Sequence, residues 1–349
     1  MLYGTSSIRY LKALGVARGD AEAAAAYANA RTDWRDRSDI VRLIKAGVGA
    51  PEAAALEGDG VAGVDFLAAL RPLTLVGRLP LRRVPPRLQL LTQVVGSEAT
   101  WVGEGAARRM TVGQYDRQSL TLKQIAALSV ATNELLSDVS LESESVILND
   151  LLAACGEALD RAFIDLGNVG DAITPASITS TATPISATAS LDDDLSEAIQ
   201  QLSDAGSNLR SAFWVMSAAF AARLSLVRGS GGAQKYPDIG ALDGRLCGLP
   251  ILTTASAAEP SDSDGTGDIV LLDASQISIV EGPPTLRVSE QALIELSDAP
   301  TGHTITPTAA SQHYVSMFQA DASALMAQLA VNWLPRRAGM VAVISGVAL

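Results

Sequence analysis

Apolar and polar residues alternate between Leu120 and Val130, and a period of two predicts a half-buried strand. The apolar face of this predicted strand consists of Leu120, Leu122, Ala126, Leu128 and Val130. The residues between them are Thr121, Lys123, Ala127 and Ser129. After the strand, Asn133-Glu134-Leu135-Leu136 is expected to lead into a turn.

The apolar spacing changes to three and four residues after Ser140, which is typical of an amphipathic helix. Ser140 is a candidate N-cap, and acidic residues follow it in the first turn. The apolar stripe consists of Leu148, Leu151, Leu152, Cys155, Leu159, Ala162, Phe163 and Leu166. The polar side consists of Glu142, Glu144, Asn149, Glu157, Asp160, Arg161 and Asp165. A helix of roughly 25 residues, about 37 Å long, would end near Gly167 and act as a strut across a subunit.

About 25 polar, Gly-containing residues separate the predicted strands Leu88 to Val95 and Leu120 to Val130. This segment is predicted to be a two-stranded excursion with a flexible tip. Such an excursion has no core of its own, so we expect it to lie on a partner. Trp101 lies beside glycines within it. We expect Trp101 to be buried against a neighbour, and the alternative is a hydrophobic plug within its own subunit.

Residues 1 to about 58 are rich in alanine and contain two helical patches, Ala21 to Ala30 and Ser38 to Ala46. Four arginines make this region locally basic: Arg31, Arg35, Arg37 and Arg42. One interpretation is a solvated helical face. The other is an arm that lies on a neighbouring subunit or faces nucleic acid, and the sequence favours neither.

Helices and strands alternate from about residue 191 to residue 290. The predicted helices are Leu191 to Leu202 and Ala218 to Leu226, and the predicted strands are Ser211 to Met216, Leu246 to Thr253 and Ile269 to Leu272. Residues 176–190 are nearly all small or polar, so a loop or an edge segment outside the core is expected there. Leu325 to Trp333 and Met340 to Ile344 are predicted to be long strands of one sheet.

The composition favours a protein that buries apolar surface between subunits. Of the 349 residues, 48% are hydrophobic but only 4% are aromatic, and the mean hydropathy is +0.22. No run is long enough for a membrane span, and Arg9 and Lys12 interrupt the apolar residues of the amino end, so no signal peptide is predicted. The formal net charge of −12 argues against affinity based on phosphate neutralisation. Cys155 and Cys247 lack metal-site spacing and are expected to be buried, inert thiols.

Catalytic, cofactor and metal sites are not predicted. The chain has no G-x-S-x-G nucleophile motif, and its two histidines, His303 and His313, lie in a Thr- and Ser-rich stretch. Asp262, Asp264 and Asp268 resemble part of a calcium loop, but the bidentate glutamate is missing, so a polar turn is the better interpretation. No phosphate-binding glycine loop follows a predicted strand.

The order of several segments resembles the major capsid proteins of tailed bacteriophages, over about residues 60 to 349. The first of these segments are Trp101-Val102-Gly103-Glu104-Gly105, the strand from Leu120 to Leu128, Asn133 to Asp138, and the helix ending in Ala158-Leu159-Asp160-Arg161-Ala162-Phe163. Later matches are Ala212-Phe213-Trp214-Val215-Met216, Gly244 to Ile251 and Trp333-Leu334-Pro335-Arg336-Arg337. Their order and spacing carry the resemblance, since none of the segments is decisive by itself.

The resemblance implies an α+β fold with six segments. These are an N-terminal arm (1–60), the start of a peripheral domain (61–98), an extended loop (99–119), the peripheral domain with its spine helix (120–185), an axial domain (186–300) and a return to the peripheral domain (301–349). The loop residues expected to contact a neighbour are Trp101, Glu104, Arg108 and Arg109. The spine is represented by Leu148, Leu152, Gly156, Leu159 and Phe163. A mid-helix glycine costs about 1 kcal/mol, so we expect at Gly156 either a close backbone or a bend as the shell expands.

The implied function is self-assembly through hexamers and pentamers into an icosahedral capsid around double-stranded DNA. The implied partners are further copies, a scaffolding protein, a portal, a possible cement protein and DNA bound without sequence specificity; no membrane is expected. The location would be the virion, after assembly in the cytoplasm of a bacterial host. The alternatives are an encapsulin-type compartment with the same fold and, from another class, a soluble hydrolase or binding module.

Some members of this family join their subunits by isopeptide bonds between a loop lysine and an amide. The chain has four lysines, and none lies between Ala99 and Ser119. Lys123 is next to this segment, but its strand should hold it within its own subunit. Arginine stays charged and is no practical nucleophile, so the subunits are expected to associate without covalent bonds. The chain begins at Met1, which favours an arm that is not trimmed.

Overall fold

A computed structural model describes residues 5–17, 20–31, 34, 37–48, 63–86, 89–95, 101–102, 114–137, 141–229, 231–240, 243–254, 267–289, 292–295 and 314–348. The chain divides into two compact units. Unit 1 comprises Met1–Pro72, Ile125–Gly156 and Pro283–Leu329. Unit 2 comprises Leu73–Gln124, Glu157–Gly282 and Ala330–Leu349.

The described helices are α1 (Thr5–Val16), α2 (Ala21–Ala30), α3 (Arg37–Val48), α4 (residues 63–70), α5 (Leu75–Arg78), α6 (Asn133–Ser137), α7 (Leu141–Ile164), α8 (Leu191–Asp204) and α9 (Ala218–Leu226). The described strands are β1 (Arg82–Arg83), β2 (Gln89–Val95), β3 (Gln114–Ser119), β4 (Lys123–Thr132), β5 (Pro184–Ser186), β6 (Ala212–Ser217), β7 (Asp243–Leu246), β8 (Leu249–Thr254), β9 (Gly267–Asp273), β10 (Ile277–Glu281), β11 (Thr285–Ser289), β12 (Leu293–Glu295), β13 (Tyr314–Ser316), β14 (Ala322–Pro335) and β15 (Val341–Val347).

Unit 1 has a core made by helices from the amino end, the first part of α7 and neighbouring strands. Asp20 caps α2, because its side chain accepts hydrogen bonds from the Glu22 and Ala23 backbone N–H groups at 2.8 and 3.2 Å. The small residues of α2 allow it to pack closely on α1 and α3. The buried cluster includes Ile8, Leu11, Ala24, Ala28, Trp34, Ile40, Ile44, Phe66, Leu70, Leu148, Leu151, Leu152, Leu286, Leu325 and Leu329.

Unit 2 is organised around a six-stranded sheet in the order β5-β15-β9-β6-β8-β7. Helix α8 contacts β15 and β9, and α9 contacts β6 and β8. Trp214 lies in the core of this sheet, and its indole N–H donates a hydrogen bond to the Leu246 carbonyl at 3.0 Å. Burying this indole is favourable because its polar group finds a partner. Ser217 caps α9 by accepting the Phe220 N–H at 3.1 Å.

The long strand β14 takes part in both units. Within unit 1, its first part pairs antiparallel with β11, from Ser289↔Ala324 to Thr285↔Gln328. Within unit 2, its last part pairs antiparallel with β10, from Glu281↔Val331 to Ile277↔Pro335. Strand β1 then pairs in parallel with β10.

The predicted inner face of β4 is wrong. Leu128 and Val130 are 54% and 46% exposed, whereas Ala127 and Ala131 are buried. Ala127 and Ala131 belong to the same cluster as Leu151 and Cys155 of α7. The Cys155 thiol also hydrogen-bonds to the backbone of Ala127. Small methyl groups therefore face the helix, and the larger apolar side chains point away from it.

The long helix is confirmed as α7, which has 24 residues. Glu157 and Arg161, four residues apart on the predicted polar side, form an ion pair at 2.6 Å. Asp160, however, was assigned to the polar side of the helix and is buried instead. Its carboxylate is tolerated because it accepts hydrogen bonds from the Leu75 N–H at 2.8 Å and the Thr254 hydroxyl at 3.1 Å.

The predicted excursion exists, but its second strand is β3. Strand β3 pairs antiparallel with β2, from Gln89↔Ser119 to Val95↔Gln114. The sequence analysis predicted no bounds for strands within the excursion. The flanking strand predicted from Leu120 to Val130 corresponds to β4, which pairs with β14. The sequence of β3 has no alternation of apolar residues, so periodicity does not reveal this strand.

Three further predictions need correction. Strand β15 pairs with β9 and β5 in the six-stranded sheet, so it does not share one sheet with β14 as predicted. Ile178, expected outside the core, is fully buried, and its N–H donates to the Phe163 carbonyl at 3.0 Å. Cys247, expected to be buried, is exposed. It lies in the turn between β7 and β8 with a φ of 52°, next to Gly248 at 79°, and such turns lie at the surface.

We predict that Ala127→Leu destabilises unit 1 by about 1–3 kcal/mol, because the larger side chain would overpack the contact with α7. Ala126→Leu is the matched control, since Ala126 lies on the exposed face of the same strand. Its effect should stay within about 0.5 kcal/mol. Urea unfolding of unassembled protein, followed by circular dichroism, measures both changes. A greater loss for Ala126→Leu would mean that the face bearing Leu128 and Val130 is the inner one.

Candidate assembly surfaces

The hairpin formed by β2 and β3 leads to a segment that exposes apolar residues. Trp101 is fully exposed, at 105% of its reference area, and the adjacent Val102 is also exposed. This exposure contradicts the alternative in which Trp101 plugs its own subunit. Burial of Trp101 against a neighbour stays a prediction. Glu104, Arg108 and Arg109 lie outside the described residues.

The spine residues of α7 with large side chains are buried inside the two units. Leu148 and Leu152 belong to the core cluster of unit 1. In unit 2, Leu159 and Phe163 are buried, and the Phe163 ring meets the Trp333 ring edge to face at 5.2 Å. The Trp333 indole N–H donates to the Ala176 carbonyl at 2.8 Å. These side chains therefore contribute to folding and are not available as docking residues.

Gly156 is buried within α7 and is the last residue of its segment in unit 1. The helix continues through it without interruption to Ile164. Both expectations for this glycine, a close backbone or a bend during expansion, stay predictions.

Asp160 is a buried carboxylate at the start of the short helix α5. Burial raises the pKa of Asp160 from 3.8 to about 6. Hydrogen bonds from Leu75, Thr254 and Val76 and the positive charge of Arg78 act in the opposite direction. Because the folded-state pKa lies above the unfolded value, this residue favours folding most below about pH 4. That contribution is lost as the pH rises through about 6.

The arginines of the predicted arm differ in their surroundings. The Arg31 guanidinium carbon lies 5.4 Å from the ring centroids of both Tyr27 and Trp34, which is within the range of cation–π attraction. Arg42 is exposed, 3.9 Å from the Asp39 carboxylate. Arg35 and the side chain of Arg37 lie outside the described residues. Contact of these arginines with a neighbour or with DNA stays a prediction.

A turn after α7 holds two apolar side chains in solvent. Val169 and Ile173 are 77% and 75% exposed. The Asp171 carboxylate accepts the Ile173 N–H at 2.7 Å and also the Thr174 N–H. These two hydrogen bonds lower the pKa of Asp171. The backbone of the turn is thus fixed while its apolar side chains lack cover within the described part of the chain.

Lys123 also stabilises this turn through hydrogen bonds. Its ammonium group donates to the Thr174 carbonyl at 2.7 Å and to the Asp171 carbonyl. Asn168 adds bonds to the carbonyls of Ala162 and Pro175 at 3.0 and 2.9 Å. The expectation that Lys123 is held within its own subunit is confirmed. The partners of Lys123 could not be predicted from the sequence, because they are backbone carbonyls and every residue has one.

The described residues contain no group of His, Cys, Asp and Glu that could hold a metal ion. Of the residues in the predicted polar turn, Asp268 accepts the Gly346 N–H at 3.0 Å. Asp262 and Asp264 are outside the described ranges, as are His303 and His313. Cys155 is buried, as predicted, and burial raises the pKa of its thiol to about 11, which disfavours the reactive thiolate. No described helix has the length and apolar character needed to cross a membrane.

Comparison with known proteins shows the family to which the chain belongs. A family model described as the phage capsid family matches residues 80–306. The chain belongs to this family. Among curated proteins, this capsid-family chain is 35% identical over 295 residues to a capsid polyprotein of Pseudomonas phage PAJU2. It is 27% identical over 232 residues to the major capsid protein of Klebsiella oxytoca phage phiKO2.

The matches cover 81% and 62% of this capsid-family chain, respectively, but only 43% and 53% of the two relatives. The chain therefore spans about half the length of the curated relatives it matches. The names of these relatives are those of structural capsid proteins.

Solved structures support the same fold. A chain from Mycobacterium phage Adephagia aligns with a TM-score of 0.57 and 15% identity, covering 78% of this chain and 89% of that one. A chain from the capsid of a native GTA particle aligns with a TM-score of 0.53 and 17% identity, covering 80% and 90%. The predicted α+β capsid fold is confirmed, whereas the names and boundaries of the arm, loop, peripheral and axial segments stay predictions.

We predict that Asp160→Asn changes the pH dependence of stability in unassembled protein. Asparagine does not titrate; its carbonyl oxygen can accept the Leu75 N–H, and its NH2 group can donate to the Thr254 hydroxyl oxygen. As the pH rises from about 4 to 7, wild-type stability should fall relative to the variant, by at most about 3 kcal/mol for a pKa raised from 3.8 to about 6.

Urea midpoints at several pH values measure this difference. Asp165→Asn is the control, because Asp165 is exposed, and it should leave the profile unchanged. A difference between wild type and Asp160→Asn that does not vary with pH would contradict the assignment.

Proposed function

We propose that this chain is a structural subunit that assembles through hexamers and pentamers into an icosahedral phage capsid enclosing double-stranded DNA. In this role it resides in the virion after assembly in the bacterial cytoplasm. It performs no chemistry. Its contacts are with other copies, with a scaffolding protein and portal during assembly, and with a cement protein where the capsid has one. The DNA is enclosed without sequence recognition.

The observation that carries this proposal is the exposed Trp101 on the hairpin of β2 and β3. A tryptophan buries more apolar area than almost any other side chain, and full exposure of one in water is unfavourable. An isolated two-stranded hairpin is also marginally stable by itself. A neighbouring copy that covers the hairpin would remove both costs, since copies of one chain supply the same surface at every position.

Other exposed apolar residues support association. They occur on strand β4 and directly before it, on the turn after α7 and after β13: Leu122, Leu128, Val130, Val169, Ile173 and Phe318. Scattered exposed apolar residues are ordinary, but residues neighbouring on one strand or one turn are typical of interfaces. The capsid names of the family model and of both curated relatives favour a DNA-enclosing capsid over an encapsulin-type compartment.

Electron microscopy and light scattering of the purified protein, with and without scaffolding protein, test the proposal. Closed shells of uniform size are expected. Apolar contact at about 25 cal/mol per Å² becomes decisive only when many interfaces close together. A discrete monomer or dimer under all these conditions would contradict the capsid function and favour the hydrolase or binding-module alternative.

We predict that Trp101→Ala reduces shell formation at least tenfold while the subunit stays folded, because the lost contact is made only between copies. Trp101→Phe keeps an aromatic ring and should restore part of the yield. Circular dichroism shows whether each variant is folded, and sedimentation measures the assembled fraction. A Trp101→Ala variant that assembles like wild type, or one that unfolds, would show that Trp101 does not act between subunits.

A further inference from the structure

Three arginines from distant parts of the sequence meet at one end of adjacent strands in unit 2. In β1, Arg82 pairs with Ser278 of β10, and Ile277 of the same strand pairs with Pro335 of β14. Arg336 follows Pro335, and its N–H donates to the Gln276 carbonyl at 2.7 Å. Ser278 pairs with Leu334, two residues before Arg336, so two strand spacings of about 4.8 Å and a two-residue offset place the Arg82 and Arg336 backbones about 12 Å apart. Arg337 completes what we call the arginine patch: Arg82, Arg336 and Arg337.

The patch is positive and accessible. Arg82 is exposed, and Arg336 and Arg337 are half-buried. Among the described residues, neither Arg82 nor Arg336 forms an ion pair with a carboxylate, whereas the adjacent Arg83 pairs with Glu281 at 3.1 Å. Partial burial and the charges of Arg82 and Arg337 together lower the pKa of Arg336. Arginine nonetheless stays charged at any physiological pH.

Placing the charges of Arg82 and Arg336 close together, in β1 and directly after β14, is unfavourable by itself, and a bound anion would offset this cost. The cost is unusual in a chain with a formal net charge of −12, where carboxylates are plentiful. Guanidinium groups match the geometry of phosphate and carboxylate, with which they form paired hydrogen bonds. The patch therefore fits a ligand that carries several closely spaced negative charges.

A second copy of this chain is a less suitable source of those charges. Its densest acidic segment is Asp192-Asp193-Asp194, at the start of α8. Asp192 already accepts the Tyr236 hydroxyl at 2.6 Å and pairs with Lys235 at 3.0 Å. Asp194 is buried and accepts the Thr188 hydroxyl at 2.7 Å. A nucleic-acid backbone carries a phosphate at every nucleotide and needs no matching protein surface.

We propose that the arginine patch binds the phosphate backbone of double-stranded DNA, without reading its sequence. The choice of DNA rests on the proposed function, because DNA is the polyanion that such a shell encloses. Binding through the patch is nevertheless a property of the subunit and can be measured apart from assembly. Because the subunit has a negative net charge, the patch would be a local positive region that attracts the enclosed DNA.

Fluorescence anisotropy with a random-sequence DNA duplex, from about 50 to 200 mM salt, tests the proposal. The variant Arg82→Gln with Arg336→Gln removes two charges from the patch. Its plot of log affinity against log salt should be less steep than that of the wild type by about two. The matched control is Arg228→Gln with Arg245→Gln, because both arginines are exposed in unit 2 outside the patch and the net charge changes equally. The control should keep the wild-type slope, and thermal unfolding should show that both variants are folded.

Three results would overturn the proposal. The first is a wild-type protein without measurable DNA binding, and the second is an equal decrease in the salt dependence of affinity for the patch variant and the control variant. The third is a patch variant that binds DNA like the wild type but fails to assemble. The last result would assign the patch to an acidic surface of a neighbouring copy. If the wild type forms no shells but the patch variant shows the expected loss of slope, the DNA site stands and the capsid function fails. The two proposals can thus fail separately.

Discussion

Burial of the apolar stripe of α7 is the constraint on which the rest of the chain depends. The helix supplies Leu148, Leu151 and Leu152 to the core of unit 1, and Leu159 and Phe163 to the interior of unit 2. Fully burying one such side chain contributes about 1.5–3 kcal/mol. An isolated helix is marginal in water, so α7 persists because each of its parts is covered.

The residues that cover α7 show how this constraint acts. Ala127 and Ala131 of β4 are small enough to let a strand backbone approach Cys155. Asp160 is the exception, a carboxylate in a buried position. It is retained because it caps α5 through the Leu75 N–H and meets the Thr254 hydroxyl. A polar group that links two segments in this way can remain buried, although its charged form is disfavoured.

The same arrangement leaves apolar side chains outside. Once the alanines of β4 face the helix, Leu128 and Val130 must face away from it, because successive side chains of a strand alternate. The turn after α7 likewise leaves apolar side chains exposed. Lys123 and Asp171 fix its backbone, so Val169 and Ile173 cannot fold back into the interior. A subunit with closed cores and fixed apolar projections is suited to contact with other copies, where those projections find cover.

The amino-acid sequence by itself determined the elements with a strong period. The spine helix, α8, α9 and β6 were predicted close to their observed bounds, because their apolar positions repeat without ambiguity. The order of motifs also indicated the capsid family. Only the tertiary structure decided what each face contacts. Periodicity gives the two faces of β4 but not which one is inner, and here the bulkier face lies outside because α7 needs a close neighbour.

Pairing partners also required the three-dimensional fold. The polar strand β3 has no apolar pattern to reveal it, and nothing in β15 indicates that β9 is its neighbour rather than β14. The burial of Asp160 depends on Leu75 and Thr254, which are 85 and 94 residues away. The arginine patch likewise joins Arg82 to Arg336 through the register of β10. Local sequence sets propensity and period, whereas such contacts depend on which distant segments the whole chain brings together.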